Sequence, residues 1–536
     1  MWVQSGLRTV LALAVMLTAL CVAVGPAVAQ GGGEGGGEGG GEEPASYERV
    51  LIRADDAGQV AAQLKLAGLG FPITFVADYP LFATWLYKFN APVTGPDIAL
   101  VRAKLDDLIA SGDIQTGDFD VPMSIERGSG QTGSLWVTCM GYPAFEAQYG
   151  IAATGAAAAA NRGNGRGVRI GVIDSGLVAN APTSIDYALS YGYDFLTAPN
   201  GGFGVIVAGA VPVDVGNGID ENGLNGADEG VGHGTYVSGI VSRVAPGARH
   251  LHLRVLDDEG RCILSHVLGA LHACMTEETH VVNMSLVPST PTDTLAAAIA
   301  QLRDNGAILV ASAGNSANMV NRFLNSEPDL IQVGAVDSSG AAWANSATGA
   351  WVDVFAPGVT DLDGQGNPIA GQTLVGPVGF DPQTSSPCYA GASGTSFSAA
   401  WVTGAAACFR AANGFMPGGG VAPSQVTTLF LADLLLTAQP VAGQTAWKRL
   451  DAGALSARSP GVAHSCPDIV PSYDPSTGAY VYSVDAADMA AVLVDYGVQT
   501  GPFNIRFTDL GGDGTVNGTD LAEIANAWGS TVPTCP

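Results

Sequence analysis

An α/β fold is what this sequence predicts: a parallel sheet with helices on both faces, flanked by smaller modules. Three observations lead there. From about residue 166 onward, short apolar runs alternate with longer stretches of helical character, which is how a parallel sheet covered on both faces reads. The run Val168-Arg169-Ile170-Gly171-Val172-Ile173 ends on Asp174, and open α/β sheets gather ligands at the carboxyl ends of their strands. The chain has 536 residues, more than one compact core supports, so further domains are expected.

Taken in order, residues 1–29 read as a signal peptide. Arg8 supplies a positive start, Val10 to Val24 is apolar, and Ala27-Val28-Ala29 is a small-x-small cleavage site. Cleavage before Gln30 and export follow as expectations. The apolar run is short and glycine-rich sequence comes next, which disfavours a membrane anchor. No later segment is long and apolar enough to span a bilayer. Residues 30–46 are a Gly/Glu-rich linker that can bury nothing.

Residues 47–125 read as a strand (Arg49 to Arg53), a helix (Gly58 to Leu69), two strands (Ile73 to Ala77 and Phe82 to Phe89), a helix (Asp97 to Ser111) and a last strand near Phe119 to Ile125. The order β-α-β-β-α-β is that of a small ferredoxin-like α+β domain. Within 136–458, strands are expected near 168–174, 280–286, 307–312 and 331–336. Helices are expected near 263–277, 291–304, 396–410 and 424–437. Residues 466–536 form a short helical, EF-hand-like module.

Lys and Arg total 22 against 49 Asp and Glu, a net charge of −27. Such an acidic surface argues against nucleic acid and anionic membrane as partners. Cys21 belongs to the leader, leaving seven cysteines, so at least one is free or pairs externally. Cys466 and Cys535 bracket the last module and could staple it. Cys262 and Cys274 lie roughly 18 Å apart along a continuous helix, too far for a bridge. None has the paired short spacing of a zinc site.

Three glycine-framed segments carry the chemistry: Gly171-Val172-Ile173-Asp174-Ser175-Gly176, Gly232-His233-Gly234-Thr235 and Gly394-Thr395-Ser396. A serine hydroxyl needs a base in hydrogen-bond reach, and the base needs a buried carboxylate to fix its tautomer. Asp174, His233 and Ser396 supply the three roles. Their order, acid then base then nucleophile, differs from the two other familiar orders, His-Asp-Ser and Ser-Asp-His. Ser396 opens an Ala-rich helix, whose first N–H groups would face a developing oxyanion. The pattern Gly394-x-Ser396-x-Ser398 is not the G-x-S-x-G elbow. Each residue alone has a plainer reading: a turn, a loop, an N-cap. Their conjunction outweighs it.

These segments resemble those of the subtilisin-like serine proteases, the subtilases, over roughly residues 136–458. Val244-Ala245-Pro246-Gly247-Ala248, Leu253-Arg254-Val255-Leu256-Asp257 and Val352-Asp353-Val354-Phe355-Ala356-Pro357-Gly358 are similar to further landmarks of that family. Ala311-Ser312-Ala313-Gly314-Asn315 resembles its oxyanion segment. The resemblance implies a serine endopeptidase acting on proteins and peptides through an acyl-enzyme, with no cofactor for catalysis. It implies Asn315 and the Ser396 N–H as oxyanion donors. Ser285, Leu286, Val287, Ala313 and Gly314 would line the substrate. It further implies that residues 47–125 are an inhibitory propeptide whose tail fills the substrate strand, against the alternative of a permanent N-terminal domain. The chain departs from the pattern at Val287-Pro288, where glycine is usual, and at Phe397-Ser398-Ala399-Ala400-Trp401 after the nucleophile. Pro288 lacks a backbone donor. The competing expectation is a catalytically silent scaffold carried for its last module.

Two stretches suit calcium, as structural ions. Asp214, Asn217 and Asp220 lie in an acidic, glycine-rich run that is either an oxygen-ligand site or a solvated loop. Asp509, Asp513, Thr515, Asn517 and Asp520 take positions 1, 5, 7, 9 and 12 of an EF-hand-like loop, while Gly511 at position 3 brings no side-chain oxygen. The segments 484–497 and 516–529 are one repeat, offset by 32 residues (520 − 488). They resemble dockerin repeats, which implies a cohesin-like partner, against the alternative of a degenerate tail.

Overall fold

Val50, Leu51 and Ile52 are consecutive and all fully buried, so their strand must be covered on both faces. It is: β1 (Ser46–Arg53) touches helices on either side and runs at the centre of a small sheet. The structure, a computed structural model of the chain, describes residues 46–125, 137–179, 190–196, 205–206, 211–219, 228, 230–323, 330–365, 367–380, 387–413, 422–458, 472–474 and 479–481.

After β1 come α1 (Asp56–Gly68), β2 (Ile73–Tyr79), β3 (Thr84–Thr94), α2 (Pro96–Ala110) and β4 (Thr116–Phe119). The four strands pair antiparallel in the order β2-β3-β1-β4. Helix α1 starts where the Asp55 carboxylate accepts from the Gly58 N–H at 2.8 Å. Helix α2 starts with Pro96, whose missing N–H costs nothing in a first turn.

The single strand expected over Phe119 to Ile125 is in fact two. β4 stays in the small sheet. β5 (Pro122–Ser124) leaves it and pairs antiparallel with β13 (Arg261–Ile263) and β15 (Val287–Pro288). Asp120 turns the chain, because its carboxylate accepts from both the N–H and the hydroxyl of Ser265, each at 2.7 Å. The Leu264 N–H then donates to the Val121 carbonyl at 2.9 Å.

β6 (Val137–Met140) and three short helices, α3 (Tyr142–Glu146), α4 (Tyr149–Thr154) and α5 (Ala156–Arg162), lead to the large sheet. Its strands are β7 (Arg169–Asp174), β9 (Ser190–Asp194), β10 (Val205–Ile206), β12 (Arg249–Arg254), β14 (Val281–Met284), β16 (Ile308–Ser312), β17 (Leu330–Val336), β18 (Val354–Pro357), β21 (Gln439–Pro440) and β22 (Lys448–Arg449). Their order is β10-β9-β12-β7-β14-β16-β17-β18-β22-β21, parallel from β9 to β22 with an antiparallel strand at each edge. The chain moves to one side of β7 for β12 and to the other for β14, so the order reverses at β7. A ligand site belongs at the carboxyl end of such a strand.

Helices α6 (His233–Val244) and α9 (Thr395–Asn413) cover one face, packing on Val172, Val281 and Val310. Helices α7 (Leu264–Thr276) and α8 (Asp293–Asp304) cover the other, over Ile173, Val282 and Leu309. Adjacent residues of one strand thus feed opposite cores, as period-two side chains must. α10 (Val426–Thr437) and α11 (Ala452–Arg458) complete the helices. A parallel pair, β8 (Leu177–Val178) with β11 (Val213–Asp214), lies near the end of β7. β19 (Val375–Phe380) and β20 (Pro387–Gly391) pair beside β6. β23 (Ser472–Asp474) and β24 (Ala479–Val481) form a hairpin.

Among the described residues, Cys262, Cys274 and Cys408 are free and buried, and Cys388 is disulfide-bonded. No helix among them is long and apolar enough to cross a membrane. The repeats at 484–497 and 516–529, with Asp509, Asp513, Thr515, Asn517 and Asp520, lie outside the described residues, as do Cys466 and Cys535.

Candidate active site

Asp174 is the last residue of β7 and is wholly buried. Its Oδ1 accepts two hydrogen bonds at 2.8 Å, from His233 Nδ1 and from the Ser175 N–H. A carboxylate can only accept, so the imidazole proton sits on Nδ1 and Nε2 keeps its lone pair.

His233 is the first residue of α6. Gly232 before it has φ +87°, in the left-handed region that only glycine enters freely. Gly234 after it is required for a different reason. A Cβ there would lie 2.4 Å from the Gly176 carbonyl oxygen and 3.1 Å from Asp174 Oδ1. Behind the imidazole stands Phe397, its ring centroid 5.6 Å away and itself 4.2 Å from Tyr236.

Ser396 lies in the first turn of α9. Its Oγ donates to the Ser285 carbonyl at 3.2 Å, and the Ser285 hydroxyl donates to the Ser396 carbonyl at 2.9 Å. The Ser396 Oγ thus rests on the Ser285 carbonyl, in the segment that joins β14 to β15.

Asn315 follows β16. Its Oδ1 accepts from the Thr395 N–H (2.8 Å) and hydroxyl (2.9 Å). The Thr395 hydroxyl also accepts from the Gly314 N–H at 3.0 Å. With the oxygen engaged, the Nδ2 group faces Gly394, where a Cβ would come within 3.4 Å of it. The amide therefore points its donors toward the start of α9.

Of the expected substrate residues, Val287 pairs with β5, lying opposite Ser124, with Pro288 opposite Met123; Ser285 and Leu286 immediately precede that strand. Pro288 proves harmless to the ladder. In an antiparallel pair only alternate residues bond across it, and the Ser289 N–H carries the ladder on to the Pro122 carbonyl at 2.9 Å. On the other side the Ile125 N–H donates to the Gly260 carbonyl at 2.9 Å. Met123 and Ile125 point inward, and Ile125 occupies the space a Cβ on Gly260 would need. The wall formed by Gly260 to Ile263 escaped the sequence reading, since four residues opening on a glycine give no strand signal.

Two carboxylates fasten the small domain to the helices flanking the cleft. Asp118 accepts from the Thr294 N–H (2.8 Å) and hydroxyl (2.5 Å) at the start of α8. Asp120 does the same for Ser265 at the start of α7. Both act as N-caps supplied from a distant part of the chain. Burial raises both carboxyls above the ordinary carboxylate range.

Asp214, first expected near calcium, is buried. Its Oδ2 accepts from the Ser175 hydroxyl and from the Gly232 N–H, each at 2.7 Å. Burial pushes its carboxyl up to about 6. The Asn217 Oδ1 accepts from the Ile219 N–H at 2.7 Å, and Asp220 lies outside the described residues. Among the described residues no group of three or more His, Cys, Asp or Glu side chains could hold a metal ion.

The site thus brings together a buried carboxylate, an imidazole bonded to it and a serine at a helix start, with an amide nitrogen beside that start. The Subtilase family matches residues 165–450, more than half of the chain, and the chain belongs to that family. It is 32% identical over 203 residues to the thermophilic serine proteinase of Bacillus sp. (strain AK1), covering 36% of this chain and 44% of that protein. It is 28% identical over 221 residues to Subtilisin BL of Lederbergia lenta, covering 39% of this chain and 71% of that protein. The match thus spans less than half the length of the first of these relatives. Among solved structures, proteases from Pseudoalteromonas arctica PAMC 21717 match at TM-score 0.48 and 24% identity, over 59% of this chain and 98% of that one.

Proposed function

We propose that this chain is an exported serine endopeptidase made as a precursor, with residues 47–125 as a ferredoxin-like inhibitory propeptide. The observation that carries the reading is β5, an extended segment paired on both edges by β13 and β15. It lies as a peptide substrate would, by strand addition. The leader-like pattern of residues 1–29 supports export.

In the reaction Ser396 Oγ turns to His233, gives its proton to Nε2 and attacks the scissile carbonyl. Asp174 steadies the imidazolium through the 2.8 Å contact at Nδ1. The oxyanion receives hydrogen bonds from Asn315 Nδ2 and the Ser396 N–H. His233 then protonates the leaving amine, and water releases the acyl group by the same steps reversed.

In the Val287–Ser124 register one residue, Leu286, separates Val287 from Ser285, whose carbonyl holds Ser396. Cleavage is therefore expected soon after Ile125. N-terminal sequencing of the exported protein tests this: a mature start between residues 126 and 137 is expected, and a mature start at Gln30 overturns the propeptide. Fluorophosphonate labelling of the mature chain at Ser396 tests the enzyme. A folded, mature chain that takes no label overturns it and leaves the scaffold reading. The repeats at 484–497 and 516–529 support a dockerin-like attachment module for a cohesin-like partner, testable by calcium titration of the full chain.

A further inference from the structure

Asp214 and Ser175 together hold the turn that carries His233. The Gly232 N–H, just before the histidine, donates to Asp214 Oδ2 at 2.7 Å. The Gly234 N–H, just after it, donates to the Ser175 hydroxyl oxygen at 3.0 Å. The Ser175 hydroxyl in turn donates to the same Asp214 oxygen at 2.7 Å. The Ser175 N–H meanwhile donates to Asp174 Oδ1, the oxygen that takes the His233 proton. The four groups close a loop around the Gly232-His233-Gly234 backbone, and its anchor is one carboxylate oxygen 40 residues in sequence beyond Asp174 (214 − 174). Asp214 is 3% exposed and Ser175 fully buried, so water cannot replace either bond. β11 holds Asp214 in place by pairing with β8, directly after the Asp174-Ser175-Gly176 turn.

We propose that Asp214 is a positioning residue of this site. Through its Oδ2 it fixes the backbone on both sides of His233, and so the approach of the imidazole to Asp174 and Ser396. This inference rests on the triad reading above. It does not place Asp214 on the substrate or in the proton path. A misplacement of about 1 Å at a reacting group costs on the order of 10² in rate, and the loss falls on kcat, because substrate pairs with β13 and β15 instead.

The test compares Asp214→Ala with Asp214→Asn in the full chain, with rates normalised to titratable Ser396. Asp214→Ala is expected to lower kcat about 10- to 100-fold and to change KM less than about twofold. Asp214→Asn keeps an oxygen able to accept both bonds, and is expected to restore kcat to within about threefold of the parent. A folded Asp214→Ala protein with unchanged kcat overturns the proposal, as does an Asp214→Asn variant no better than alanine. Should Asp214→Ala fail to fold, Ser175→Ala removes only the bridging hydroxyl. A kcat loss of about tenfold is then expected, and an unchanged kcat overturns the proposal. A second readout needs no turnover. In Ser396→Ala chains the low-field proton resonance of His233 Nδ1 is expected to shift and broaden with Asp214→Ala and to return with Asp214→Asn. A parent chain that hydrolyses nothing, with this resonance still responding, would sink the protease reading and keep the inference. An active parent with an unresponsive resonance and unchanged kcat would do the reverse.

Discussion

The large and small sheets bury themselves in different ways. In the large sheet both faces are covered by helices of the same domain, so Val281 and Val282, or Ile308 and Leu309, feed two separate cores. In the small sheet the outer side is thin: Phe75 on β2 is 55% exposed and Leu64 on α1 is 69% exposed. Its inner residues share one core with α7 and α8 of the large domain. The large domain completes itself, whereas the small one is completed by its neighbour. Beyond that shared core and the β5 ladder, the two are joined by capped carboxylates and single hydrogen bonds, such as the Tyr79 hydroxyl to the Ser265 carbonyl at 2.9 Å. The catalytic frame should therefore outlast removal of residues 47–125, and the small domain should depend on docking for its order.

The largest effect that could break this contrast comes from Ser396→Ala. Loss of the nucleophile should lower kcat by about 10⁶-fold and leave residues 47–125 attached, seen as one uncut band on a denaturing gel. A cut band in a pure Ser396→Ala preparation would mean that removal is not the frame's own work. Asn315→Ala should follow, with kcat down about 10²- to 10³-fold and KM nearly unchanged. It should leave the small domain's docking untouched, measurable by peptide hydrolysis alongside hydrogen exchange.

Asp120→Ala attacks the other side of the contrast. It leaves the first turn of α7 uncapped, a loss of about 1 kcal/mol. In the uncut Ser396→Ala chain, exchange of the Ser265 amide should speed by several-fold, while the β14 and β16 amides stay protected. Equal acceleration in both sheets would show that the domains unfold as one.

The last effect is one of pH, spread over several rings, and it falls on the frame. Burial holds His250 and His266 down at about 4, and His252 and His280 well below the ordinary value. These folded-state values are depressed, so the unfolded chain binds protons first as the pH drops. Stability is complete above about 6.5 and is lost progressively toward 4. A loss on the order of 1 kcal/mol per buried histidine by pH 5 should appear as a falling Tm. A flat Tm between pH 7 and pH 5 would contradict the burial of these rings.

Asp174, His233, Ser396 and Asn315 were legible in the sequence because each sits in a short, glycine-framed segment whose chemistry is local. The alternation of strand and helix after residue 166 was legible for the same reason, since burial on both faces is written in each strand's own composition. The split of Phe119 to Ile125 into two strands was not. Its apolar spacing suits one strand, and the turn is made by Asp120 bonding to Ser265, 145 residues away. Asp214 was read by its acidic neighbourhood, whereas its position is decided by Ser175 and Gly232, which only the fold brings near. Pro288 looked like a defect because a lone sequence does not say which alternate residues of a strand face their partner.

Cys262 gives the cleft a clock of its own. It lies in β13 directly across from Met123, and burial pushes its thiol well above the ordinary value. If β5 leaves, as the propeptide reading proposes, β13 loses the strand that sets Met123 opposite Cys262, and this thiol becomes the most accessible of the three. Cys274 and Cys408 are sealed in the frame, with thiols pushed up to about 12. A single alkylating reagent therefore separates two events in time: modification of the first thiol marks an empty groove, and modification of the other two marks collapse of the domain around it.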